Sequence, residues 1–181
     1  SSEYVFDGGK GNYSELDSPN PTTVYGSQKL QIETYLSENY EDYAILRLAK
    51  VYGTDAQDGT ILSQWLQQVK NGEEIRCATD QFFSPVHVDD VVDLAQAVVE
   101  QGLNGVFNTC GPERTGRLEM LETFLSHLGV TANVTPCSIK DFNFLDDRPR
   151  DLSMTPKKAN READWNPRTI DSCCEELAVG V

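Results

Sequence analysis

Positive charge is scarce in this chain of 181 residues: 15 lysines and arginines stand against 29 aspartates and glutamates, a formal net charge of −14. Such a surface repels a phosphate backbone and an anionic lipid headgroup alike, which argues against nucleic acid and membrane as partners. Cysteines number five, Cys77, Cys110, Cys137, Cys173 and Cys174, with no Cys-x-x-Cys pair. An odd, unpatterned set signals neither a disulfide framework nor a zinc site and fits a reducing, cytoplasmic setting. The two histidines, His87 and His127, lie far apart without further ligand spacing, so no metal is expected and His87 reads as structural. No apolar run is long enough to span a bilayer. The opening SSEYVFDGGKG has no basic segment followed by an apolar one, as a secretory leader requires, and the closing AVGV carries no targeting address.

What is present describes a folded chain. Hydrophobic residues make up 39% and charged residues 24%, the balance of an ordinary globular protein with a sizeable core. Residues 2–7 alternate weakly and end in Asp7-Gly8-Gly9, which predicts a short strand closed by a turn. A Gly-, Asn- and Pro-rich loop reaches Pro21, and from Thr22 or Thr23 as N-cap a helix is expected to about Asn39, with Leu30, Tyr35 and Leu36 on its apolar side. Residues 43–48 read as a strand, 58–71 as an amphipathic helix ended by Asn71-Gly72, and 85–88 as a short extended piece. Asp89 and Asp90 are expected to cap a helix that stops at Gly102 and feeds the strand GVFNTC. Then follow a helix over 118–128, a short strand near Val134, a polar loop to Arg150 and helical stretches around Lys157 and Glu175. Strands alternating with helices predict an α/β fold with a largely parallel sheet.

Chemistry enters at YGSQK. Tyr25 and Lys29 are four apart, a spacing that stacks both side chains on one face of a helix. A phenol ionises near about pH 10, so to act as an acid near neutrality it gains from an ammonium that stabilises the phenolate. On these two residues alone the pair is equally a half-buried tyrosine beside a solvated lysine.

The surrounding stretch, S-S-E-Y-V-F-D-G, then Y-S-E-L-D-S-P-N-P, then Y-G-S-Q-K, resembles the extended short-chain dehydrogenase/reductases. Within them it looks like the dTDP-4-dehydrorhamnose reductase (RmlD-like) group and the related methionine adenosyltransferase regulatory beta subunits. The likeness continues through LRLAKVYG (46–53), DQFFSPVHVDDVV (80–92), GVFNTCG (105–111) and RPRDLSM (148–154). It implies the C-terminal part of a doubly wound NAD(P)-binding Rossmann fold plus a small α/β substrate-binding domain. Residues 1–57 would belong to the Rossmann-type domain, with the YxxxK helix; 58–181 would be mostly substrate-binding, with the region around 84–110 returning to the Rossmann sheet.

The resemblance further implies NAD(P)H-dependent reduction of a carbonyl on a sugar or sugar nucleotide. Catalytic roles fall on Ser2, Tyr25 and Lys29: Ser2 would bind the carbonyl, Tyr25 donate the proton, and Lys29 tune Tyr25 and contact the nicotinamide ribose. Cofactor contacts would come from Tyr25, Lys29, Arg47 and Val51, and substrate contacts from Ser2, Gln81, Ser84 and Arg148. For Arg47, a sheet-end arginine paired with a carboxylate is the equal alternative. The cofactor is NADPH or NADH, and the partners are a sugar-type small molecule together with a second copy or a partner enzyme. If the chain is a regulatory subunit instead, the YxxxK pair serves no turnover.

Departures from the family pattern also carry information. No GxxGxxG or GxGxxG loop follows a first strand, so the backbone cradle for a dinucleotide pyrophosphate is not in this sequence. That leads us to expect a truncated chain that begins midway through the nucleotide-binding domain, with exposed apolar sheet edges. Thr115-Gly116-Arg117-Leu118 stands where reductases of the group carry aromatic residues, removing a stacking surface, and Asp151-Leu152 replaces Asn-Ser after Arg-Pro.

Overall fold

A computed structural model describes residues 1–179; the last two residues of the AVGV tail lie outside the described residues. The chain forms α1 (Val24–Asn39), β1 (Ala44–Leu48), β2 (Val51–Tyr52), α2 (Ile61–Asn71), β3 (Ile75–Ala78), β4 (Phe82–Phe83) and β5 (Val86–His87). It continues through α3 (Val88–Gln101), β6 (Gly105–Thr109), β7 (Thr115–Gly116), α4 (Arg117–Leu128), β8 (Val134–Cys137), α5 (Lys157–Ala163) and α6 (Ile170–Val179). Strand pairs β1–β6, β2–β5 and β3–β8 are parallel and only β4–β7 is antiparallel, as alternating strands and helices predict. β1 pairs in register with β6 from Ala44↔Gly105 to Leu48↔Thr109.

Two buried clusters organise the packing. The first gathers Val5, Phe6, Tyr13, Val86, Leu94, Phe107, Met154 and Trp165 around β1 and β6. The second gathers Tyr52, Leu62, Trp65, Ile75, Phe83, Met120, Phe124 and Leu177 between α2, α4 and α6. Helix ends follow their sequence signals: Gly72 and Gly102 close α2 and α3 in the left-handed conformation that costs glycine nothing.

The structure revises three local expectations. Residues 2–7 do not form a strand; Ser2 makes a single parallel bridge to Leu48 and Glu3–Val5 turn into a 3-10 helix. The cap of α3 is His87, whose Nδ1 accepts from the Asp89 amide, while Asp89 and Asp90 sit in the first turn where their charge suits the helix dipole. Tyr35 faces outward, 55% exposed, because the inner stripe of α1 is narrow: Gly26 and Glu33 are buried, Leu30 and Leu36 half-buried. Ile32 is exposed beside it, and a cleft of about 350 Å³ lined by Lys29, Ile32, Leu36, Leu46 and Val91 runs along the edge of β1 away from β6. The expected exposed apolar edge is thus present.

Candidate active site

The site is assembled where the 3-10 turn meets the start of α1. Ser2 is extended and caps the turn, its Oγ accepting from the Tyr4 amide at 3.3 Å. That bond uses a lone pair and leaves the hydroxyl proton to donate. Ser2 is 7% exposed, at the end of the sheet next to Leu48. Thr23 caps α1 by accepting from the Gly26 amide at 3.0 Å, as its sequence position predicts.

Gly26 is the residue that lets the two pieces touch. A Cβ there would stand 2.0 Å from the Tyr4 carbonyl oxygen and 3.0 Å from Pro21, so only glycine permits α1 to start against the turn. The contact brings Tyr25 edge-on to Tyr4, with ring centroids 5.9 Å apart, and leaves Tyr25 49% exposed. One turn on, the Lys29 ammonium lies 5.2 Å from the Tyr25 ring centroid, so the helical spacing does place phenol and ammonium together. Tyr25 lines a cleft of about 560 Å³ with Tyr4, Thr23, Phe144, Leu145 and Arg148.

The far wall comes from the loop over 142–148. Arg148 donates to the Tyr4 hydroxyl at 2.7 Å and lies across the rings of Tyr4 and Phe144. Asp146 accepts from the Val24 amide at 3.0 Å, tying the loop to the N-terminus of α1. Gln81 accepts from Arg117 Nη1 at 3.2 Å and faces the same region.

Two of the assigned residues lie elsewhere. Arg47 is 4% exposed and forks onto Glu33, with Nε to Oε1 at 3.0 Å and Nη2 to Oε2 at 2.7 Å. It is the sheet-end arginine paired with a carboxylate, and it locks α1 to β1 rather than reaching for a cofactor. Ser84 is 1% exposed, and its hydroxyl donates to the Met154 carbonyl at 3.0 Å, so it fastens residue 154 to the core and has no face for substrate. Val51 is half-buried in β2 and packs against the first cluster.

Sequence reasoning missed Glu3, Tyr4, Lys50 and Asp146. Tyr4 belongs to the same short motif as Ser2, but nothing in the sequence tells its inward side chain from an outward one. Glu3 is buried beside Ser2, with Oε2 lacking any hydrogen-bond partner. Burial pushes its carboxyl up to about 8, against the lowering pull of the Lys50 ammonium and main chain.

A model of the RmlD substrate binding domain family matches residues 1–178. The chain belongs to that family. Among curated relatives, methionine adenosyltransferase 2 subunit beta of Xenopus laevis is 27% identical over 190 residues, covering 99% of this chain and 52% of the relative. A Haloferax volcanii protein named "Probable low-salt glycan biosynthesis reductase Agl14" is 30% identical, covering 94% of this chain and 59% of the relative. In solved structures, this RmlD-family fold is similar to the dTDP-4-dehydrorhamnose reductase of Bacillus anthracis in complex with NADP. That match has a TM-score of 0.89 and 22% identity, over 100% of this chain and 64% of that one. The chain therefore has the α/β, Rossmann-like fold of these reductases and spans about half the length of its curated relatives. Among the described residues no helix is long and apolar enough to cross a membrane, and no group of three ligand-type side chains could hold a metal.

Proposed function

We propose that this chain is the carbonyl-binding part of an NAD(P)-dependent reductase acting on a sugar or sugar nucleotide. The observation that carries the reading is Tyr25 and Lys29 on successive turns at an open cleft, with the uncommitted Ser2 proton beside them. A nicotinamide would supply a hydride to the carbonyl carbon. Ser2 donates a hydrogen bond to the carbonyl oxygen and orients it. Tyr25 gives that oxygen its phenolic proton, and the Lys29 ammonium stabilises the negative charge left on the tyrosine. Lys29 is half-buried, with its ammonium near enough to Tyr25 to meet a ribose hydroxyl as well. The residues present fit the nicotinamide end of such a cofactor; the pyrophosphate cradle would have to come from residues outside this sequence. We assign residues 1–57 and the strands within 84–110 to the nucleotide-binding unit, and most of the rest to substrate binding.

Replacement Tyr25→Phe tests the reading: turnover of a keto-sugar nucleotide with reduced nicotinamide should fall by roughly 10²–10⁴-fold while binding of both persists. Turnover unchanged in that variant would overturn it. A second reading rests on the match of methionine adenosyltransferase 2 subunit beta to 99% of the chain. If the chain serves a partner enzyme, the same variant should leave the partner's activation intact.

A further inference from the structure

Beside the Tyr25 cleft lies a second one of about 300 Å³, lined by Glu3, Tyr4, Lys50, Gln81, Phe83, Arg117, Phe144 and Arg148. Tyr4, Phe144 and Arg148 line both clefts, so one aromatic ring separates the second cleft from Tyr25. Three of the chain's 15 cations therefore converge on one small hollow in a molecule of net charge −14.

Their partners do not neutralise them. Every salt bridge among the described residues involves other side chains, although eleven such contacts exist. Arg117 is held by the Gln81 amide and Arg148 by the Tyr4 hydroxyl, both uncharged. The one carboxyl in the cleft, Glu3, is kept protonated by burial up to about pH 8, so near neutrality it adds a hydrogen-bond donor and no negative charge. Burial and the charge of Arg117 both lower the Lys50 ammonium, the cost of holding unpaired cations together. A cluster that repels itself in the free protein gains most when an anion enters.

We infer that this cleft binds a compact anionic substituent of the substrate, a carboxylate or a phosphate group, through Lys50, Arg117 and Arg148. The inference rests on the reductase reading above and narrows its substrate to one that carries negative charge close to the reacting carbonyl. The volume is at the small end of ligand clefts, about 300–1,000 Å³, and suits one substituent rather than a nucleotide. Phe83 and Phe144 supply apolar surface against which a sugar ring would lie.

Calorimetric titration of the full chain with inorganic phosphate, D-glucuronate and D-glucose at constant ionic strength tests this without any nicotinamide. At least one anion should bind about tenfold or more tightly than glucose, the return expected from a charge-assisted hydrogen bond. Phosphate alone binding tightly would identify a phosphate substituent; glucuronate alone, a carboxylate. Lys50→Gln combined with Arg117→Gln should bring the anions to within about twofold of glucose. Wild-type protein that binds neither anion more tightly than glucose would overturn the inference, whether or not the double variant folds. Equal anion binding by wild type and a folded double variant would overturn it as well. Because turnover is not read, these failures are distinct from a failure of the Tyr25→Phe test.

Discussion

Glu3 shows how one side chain can set the behaviour of a site. A carboxyl in water loses its proton near its model value of 4.5, whereas in the fold Glu3 holds its proton to about 8. Between those values the unfolded chain binds fewer protons than the folded one, so stability falls as pH rises from 4.5 toward 8 and is unaffected by this group below that range. Glu3→Gln keeps the shape and cannot ionise. Its melting temperature should match wild type at pH 4 and exceed it by several degrees at pH 8, measured by circular dichroism. A constant difference across that range would show that Glu3 ionises normally. The sequence gives no hint of this, since an acidic residue next to two serines reads as solvated until Phe83 and Lys50 are seen around it. Tyr25 and Lys29 were legible because a helical period of four fixes their relation with no tertiary information.

At the scale of elements, the account turns on the junction between the 3-10 turn and α1. Gly26→Ala places a methyl 2.0 Å from the Tyr4 carbonyl, and backbone on both sides cannot yield cheaply. The variant should melt several degrees lower and lose turnover in proportion as Tyr25 moves from Tyr4, measured by thermal unfolding and steady-state kinetics. The second joint of α1 is Glu33 on Arg47, both nearly fully buried. Truncating one partner leaves the other charge unpaired, so Glu33→Ala should cost about 3–5 kcal/mol by urea unfolding. Thr23 as cap, Gly72 and Gly102 as helix ends and the parallel pairing were all readable, because caps and turns are local chemistry. The strand expected over residues 2–7 was not found, because a strand needs a ladder. Ser2 has only the single bridge to Leu48, and Tyr4–Phe6 close a turn instead. Ser84 misled for the opposite reason: the loop sequence placed it near substrate, but only the fold shows Met154 occupying its hydroxyl.

For the whole molecule, charge and exposed apolar surface set the behaviour. A net charge of −14 on 181 residues repels itself in the compact state, and salt screens it as the Debye length shrinks from about 10 Å at 0.1 M to about 3 Å at 1 M. The melting temperature should therefore rise between those salt concentrations, and a fall would mean that ion pairs outweigh repulsion. The open edge of β1 and the neighbouring Ile32 give a surface that pairs readily with another chain, so light scattering should report a mass above 20.2 kDa for this chain alone. The central claim remains that Ser2, Tyr25 and Lys29 complete a carbonyl reduction. It is tested most directly on the protein as it occurs in its source, supplied with reduced nicotinamide deuterated at the transferable position and with a keto-sugar nucleotide. The account predicts deuterium on the former carbonyl carbon of the product by mass spectrometry, and almost none with Tyr25→Phe. Binding of both ligands without transfer of label, or equal transfer by the variant, would contradict it.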